Sequence, residues 1–168
     1  FNLTCMKKLL QINSVVNTGS TGRIAEEIGI LATANGWESY IAYGRYGNPS
    51  MSNTIKIGSI LDIYWHKIQT ILFDKHGLAS KNATKSLLNK ITEINPDIVH
   101  LHNIHGYYIN IQILFEYLSL KSIPVVWTLH DCWSFTGHCT YFDIVNCEKW
   151  KTECNNCPQI RVYPSSLL

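Results

Sequence analysis

Two short runs, residues 98–101 (Ile-Val-His-Leu) and 125–129 (Val-Val-Trp-Thr-Leu), are almost wholly apolar, and stretches of helical periodicity precede them. A strand with apolar side chains on both faces must be covered on both, as interior strands of parallel sheets are. Upstream, residues 8–16 form an apolar-rich first strand that breaks at Asn17-Thr18-Gly19-Ser20-Thr21-Gly22. Ile24, Ile28, Leu31 and Ala32 then recur at helical spacing, and Gly36 stands where a helix terminator belongs. Residues 39–43 and 54–57 read as further strands. Ser59 and Asp62 have capping-box spacing, and Leu61, Tyr64, Trp65, Ile68, Ile71 and Leu72 mark an amphipathic helix. A helix over 81–94 should end before Pro96, and another spans 109–120. The alternation predicts an α/β fold: a doubly wound parallel sheet with right-handed crossovers.

At 168 residues the chain is about one domain, read here as residues 1–168 with a Cys-rich segment at 138–158. Hydrophobic residues make up 46% and charged ones 15%, which excludes disorder. The formal charge is only +2 with the basic residues dispersed, so no nucleic-acid groove is indicated. No run reaches the roughly 18 apolar residues of a transmembrane segment. Lys7-Lys8-Leu9-Leu10 is too soon interrupted by Gln11, Asn13 and Ser14 to be a signal peptide. A cytoplasmic chain is expected, working near the inner face of a membrane. Residues 1–5 precede Met6 and read as an upstream extension; the sequons at Asn2 and Asn82 carry no meaning in such a compartment.

In a doubly wound sheet the loops after the first strand and after the returning strand face each other across a crevice. Here those loops hold Gly19 to Gly22 and His102 to Tyr107, and the next strand delivers His130-Asp131. Gly19 and Gly22 flank Thr21 at a helix start, where free N–H groups and the dipole favour an anion, and Arg23 follows. The spacing is neither Gly-x-Gly-x-x-Gly nor a Walker loop, and a plain strand-to-helix turn reads equally well. His100 and His102 share a strand face, and His105 follows in the loop beside Asn103 and Tyr107. Imidazole, amide and phenol make directional hydrogen bonds suited to hydroxyl recognition. A His-x-His pair can instead bind metal, but no acidic residue stands where a third ligand is needed. A nicotinamide dehydrogenase fails on the glycine pattern and because Ala42-Tyr43-Gly44 supply no acid at the second strand's end.

Cys139, Cys147, Cys154 and Cys157 crowd a polar, strand-poor stretch. Cys154-x-x-Cys157 is half of a zinc knuckle, whereas the wider Cys139–Cys147 spacing is atypical. Structural zinc, inert thiols and disulfides all remain open, with zinc favoured in a reducing compartment.

Three segments together, Asn17 to Arg23, Pro96 to Tyr107 and Val126 to Gly137, resemble the N-terminal domain of family 4 glycosyltransferases, closest to the bacterial polysaccharide and colanic-acid branch. The resemblance covers nearly the whole chain from Lys7. It implies the Rossmann-like N-terminal lobe of a two-lobed GT-B enzyme. Such an enzyme moves a sugar from a nucleotide-sugar donor to a saccharide or lipid-linked acceptor, usually with retention and without a required catalytic metal. It implies Gly19 and Gly22 near the donor diphosphate and His102 near the reacting sugar as the catalytic residue. Asn103, His105, His130 and Asp131 are implied acceptor contacts. The donor-binding C-terminal lobe is expected to be missing, so the chain alone should be inactive. The alternative is a non-catalytic, zinc-stapled α/β binding module.

Overall fold

A computed structural model describes residues 6–167; Phe1 to Cys5, with the Asn2 sequon and the upstream extension, and Leu168 lie outside the described residues. Five parallel strands form one sheet in the order β3-β2-β1-β4-β5. They are β1 (Lys8–Asn13), β2 (Glu38–Tyr43), β3 (Asn53–Lys56), β4 (Ile98–Leu101) and β5 (Val125–Trp127). The helices are α1 (Gly19–Ala34), α2 (Ile60–Phe73), α3 (Lys81–Ile94), α4 (Ile111–Leu120) and the single turn α5 (Trp133–Thr136). The order reverses between β1 and β4, which pair from Leu9 with Ile98 to Ile12 with Leu101. The doubly wound, Rossmann-like sheet is therefore present, and its switch point lies where the sequence reading needs it.

Period-two alternation divides the strands between two covered faces. Leu10, Ile12, Ala42, Val99 and Leu101 pack with Leu87, Ile91, Leu114 and Leu118 of α3 and α4 in the main core. Val16, Ile41 and Tyr43 pack with Ala25 of α1 in a smaller one on the opposite side. The Ser59–Asp62 capping box forms in both directions. The α3 helix stops at Asn95 in a left-handed conformation, just ahead of Pro96.

Four expectations change. The first strand ends at Asn13, where the side chain turns back to donate to the Val15 carbonyl (2.9 Å). Gly19 to Gly22 are the first turn of α1 rather than a loop before it. Residues 125–129 are not a buried interior strand. β5 is three residues long at the sheet edge, with no strand beyond it among the described residues, and Val125, Val126 and Leu129 are exposed. Finally, the apolar stripes of two helices turn away from the sheet. Helix α1 buries Gly22, Ala25, Glu26 and Gly29 while Ile24, Ile30 and Leu31 stay exposed. Helix α2 buries only His66 and Thr70 and leaves Leu61 75% and Trp65 62% exposed.

Helix α1 reaches the sheet because its inward residues are small. A Cβ on Gly29 would stand 2.3 Å from Ser52 Oγ and 3.0 Å from Ser39 Oγ, two buried hydroxyls that bond each other at 2.9 Å. Gly29→Ala should therefore lower stability by about 1–3 kcal/mol from overpacking, measured as a fall in the urea midpoint. A gain near the ~1 kcal/mol that alanine normally adds in a helix would show that the contact yields freely.

Candidate active site at the switch point

Two buried polar side chains on β1 organise the site. Gln11, fully buried, donates its Nε2 hydrogen to the Ala25 carbonyl of α1 (2.7 Å). Its Oε1 therefore accepts from His102 Nε2 (3.0 Å). With its proton on Nε2, His102 accepts at Nδ1 from His130 Nε2 (3.0 Å). Asn13, also buried, approaches Thr21 Oγ1 with its amide nitrogen (3.5 Å) and accepts the Asn103 backbone N–H with its oxygen (3.3 Å). One strand thus ties the glycine turn to the histidine loop.

His102 is only 2% exposed, with both ring nitrogens engaged inside the protein. Its ring stacks on His100 (4.2 Å between centroids) and lies edge to edge with His130 (5.3 Å), to which it is hydrogen-bonded. Burial first, then the neighbouring His100 and His130, pushes its pKa down to about 3. His130 is half-buried and makes no hydrogen bond through Nδ1. Its pKa is also lowered by burial, with Asp131 opposing. Both rings are thus neutral at pH 7, with tautomers set by Gln11.

A second set flanks the first. His105 Nε2 donates to Asp131 Oδ2 (2.7 Å), and its Nδ1 accepts from Tyr163 Oη (3.1 Å). Asp131 Oδ1 accepts the Trp133 backbone N–H (3.0 Å). Burial raises the Asp131 pKa. The His105 bond and charge, the Trp133 amide and His130 together outweigh it, leaving the carboxyl below its usual range. Asn103, His105 and Asp131 border a polar cleft of about 250 Å³ that Ser14, Arg45, Gly106, Thr140, Tyr141 and Tyr163 complete.

His102, Asn103, His105, His130 and Asp131 are thus brought together, and Thr21 of the glycine turn is tied to Asn103 through Asn13. Gly19 is exposed at φ +61°, a left-handed position suited to glycine, whereas Gly22 serves close packing against Val15 (3.0 Å from a built Cβ). Arg23 is not in the cluster: it lines a separate cavity with Glu26, Glu27 and Met51. Tyr107 is buried behind the cleft against His66, His76 and Tyr163, and borders a cavity of about 470 Å³ with Arg45, Lys56 and Lys67. Among the described residues no group of three or more His, Cys, Asp or Glu side chains is placed so that, as it stands, it could hold a metal ion. The cysteines lie outside this cluster, around a small cavity of their own.

Sequence reasoning missed Gln11, Asn13, Arg45, Tyr163, His66 and His76. Two of these had a legible signal: amides at alternate positions of an otherwise apolar strand must find partners if the strand is interior. His76 had none. It is buried at the centre of five aromatic rings, with both nitrogens unpaired, because the turn after α2 folds under the histidine loop.

An open parallel sheet with its polar side chains gathered at the switch point has the layout of a nucleotide- or sugar-handling enzyme. The chain belongs to glycosyltransferase family 4, whose family model matches residues 21–153. It is 27% identical over 172 aligned positions to the putative colanic acid biosynthesis glycosyl transferase WcaC of Escherichia coli (strain K12). That alignment covers 93% of this chain and 40% of the relative, so the chain spans well under half of that protein's length.

The buried histidines set a pH dependence. Burial is the largest cause that pushes His66, His76 and His102 from 6.5 down to about 4, about 2 and about 3. Below pH 6.5 the unfolded chain takes up protons that these folded rings refuse. Stability is therefore full above 6.5 and is lost as pH falls toward the folded values. The loss should reach on the order of 1–2 kcal/mol per ring by pH 5. The urea midpoint should fall steadily from pH 7 to pH 5; a flat profile would mean that the folded rings accept protons.

Proposed function

We propose that this chain is the N-terminal, acceptor-side lobe of a GT-B glycosyltransferase acting in polysaccharide biosynthesis. The enzyme would move a sugar, with retention, from a nucleotide-sugar donor to a lipid-linked saccharide acceptor. The observation that carries the reading is the cleft between the loops after β1 and β4. Asn103 and Arg45 offer it side-chain hydrogen-bonding groups not used among the described residues, apart from the cation–π contact of Arg45 with Tyr46, and His130 Nδ1 adds another from the small adjoining pocket that Asn103, His105 and Asp131 also line. Together they can accept from and donate to hydroxyls, which is what sugar recognition requires.

In this reading His102 is a positioning residue. Its Nδ1 accepts a hydrogen bond from the His130 Nε2–H, which keeps the His130 proton on Nε2 and leaves His130 Nδ1 to accept a hydrogen bond from an acceptor hydroxyl. Orientation of that hydroxyl toward the donor carbon is the contribution of this lobe. The exposed start of α1 at Gly19 can face the departing diphosphate with its positive dipole end. The greater part of the donor contacts is assigned to the counterpart of the relative's length outside the 40% that the alignment covers, and residues 1–168 by themselves should turn over no substrate.

The lipid-linked acceptor is favoured by α2. Its outward face carries Ile60, Leu61, Tyr64, Trp65, Ile68, Leu72 and Phe73 exposed. Ile60, Ile63 and Tyr64 line one cavity with Arg45, Lys56, Lys67 and Tyr107. An apolar, aromatic helix face beside cationic side chains suits an anionic bilayer surface, with a lipid phosphate over the basic cavity. Among the described residues no helix is long and apolar enough to cross a membrane.

Two measurements test the proposal. In the full-length enzyme, His130→Ala should lower kcat/KM for the acceptor roughly ten- to a hundred-fold with an unchanged melting temperature, while Arg23→Ala leaves it near wild type. Equal effects of the two would remove the switch-point cleft as acceptor site. Separately, the protein should co-sediment with anionic vesicles, and Leu61→Ser with Trp65→Ser should weaken this on the order of tenfold. Unchanged vesicle binding would take α2 out of the account without touching the cleft.

A further inference from the structure

The segment after α5 contains almost no regular structure: two 3₁₀ turns, Asp143–Val145 and Lys149–Lys151, and no strand among the described residues. Yet it brings four cysteines, the first and last of them 18 residues apart in sequence, to the wall of one small cavity. Cys139, Cys147, Cys154 and Cys157 line it with Thr136, Phe142, Lys149 and Trp150. Cys139 Sγ and Cys157 Sγ stand 3.8 Å apart, far beyond a disulfide's roughly 2.05 Å. Two thiolates on one tetrahedral zinc, with Zn–S about 2.3 Å, are separated by about 3.8 Å. Cys147 and Cys154 share the cavity without having closed onto that pair.

The surroundings fit a bound cation rather than idle thiols. Phe135, Phe142 and Trp150 meet edge-on or tilted in a ring cluster with centroids 5.1–6.2 Å apart, and Phe142 and Trp150 of it wall one side. Lys149 Nζ donates to the carbonyls of Asn155 and Asn156 (2.9 and 3.0 Å) and so shapes the turn between Cys154 and Cys157. The same ammonium stands where it offsets the excess negative charge of a tetrathiolate site.

We propose that Cys139, Cys147, Cys154 and Cys157 bind one zinc ion, and that this ion holds the irregular segment against the histidine cleft. Both ends of the site are wired to the cleft. Beside Cys139, the Thr140 carbonyl accepts the Cys132 N–H (2.9 Å), one residue from Asp131. Six residues beyond Cys157, Tyr163 lays its hydroxyl on His105 (3.1 Å). The ion would act by position alone, since it lies apart from the cleft and bonds no group there.

Protein purified without chelator should contain about one zinc per chain by elemental analysis. Four thiols should resist a thiol reagent until a strong chelator removes the metal. Cobalt substitution should give the sulfur-to-metal charge transfer and visible bands of a tetrahedral thiolate site, which needs no variant that might fail to fold. Removal of the metal should speed proteolytic cleavage within residues 137–167 on the order of tenfold while the β1–β4 sheet stays protected. Cys154→Ser, at the most exposed position, should weaken zinc retention and keep the fold. Metal-free protein with all thiols reactive would overturn the proposal, as would disulfides joining these cysteines in freshly purified protein.

Discussion

One buried amide, that of Gln11, sets the chemistry of the cleft. It lies on the central strand, is wholly enclosed, and joins α1 to β4 through one donated and one accepted hydrogen bond. Leaving either bond unmade would expose a buried polar group to a desolvation penalty of about 1–3 kcal/mol, so the amide has one orientation. That orientation places the His102 proton on Nε2, which makes Nδ1 an acceptor, which in turn directs the His130 proton inward. A choice made in the core is thereby passed along three side chains to the cleft lip. Asn13, two residues on and on the same face, holds the two switch-point loops together by the same logic.

Much of this was legible because strand alternation and loop chemistry are local. The order of elements, the capping box at Ser59, the stop before Pro96 and the placing of the loops after β1 and β4 beside each other all follow from sequence patterns and one topological rule. What failed shares one cause. Periodicity reports which side of a helix is apolar, but not on which side the sheet lies. Helix α1 presents Gly22, Ala25 and Gly29 to the sheet because close approach requires small residues, even though Ile24, Ile30 and Leu31 are the apolar ones. Helix α2 turns inward with His66, held by Ser80 Oγ (2.7 Å) and the Gly77 N–H (3.2 Å), and that anchoring outranks its stripe. Likewise, Val125 and Val126 read as interior from composition, yet strand position in the sheet depends on partners that composition does not name.

The site divides into two kinds of histidine. His102 and His130 belong to a neutral relay that ends in a free acceptor nitrogen. His105 is pinned from both sides, by the Asp131 carboxylate and the Tyr163 hydroxyl, and has no nitrogen left for a ligand. The second pair therefore frames the cleft while the first can address a substrate. Sequence spacing could not separate these roles, because His102, His105 and His130 look alike until their partners are known.

Asp131 connects the two. It is adjacent to His130 in the chain and bonded to His105 in space, and its ionised carboxyl favours positive charge on the His130 ring. Burial works against that at His130 and prevails, so the ring remains neutral beside a carboxylate. A neutral imidazole can accept a hydroxyl hydrogen, whereas an imidazolium can only donate. The burial of the hydrogen-bonded His102–His130 pair is therefore what keeps the lip suited to an acceptor hydroxyl, and Gln11 holds His102 at that depth just past β4.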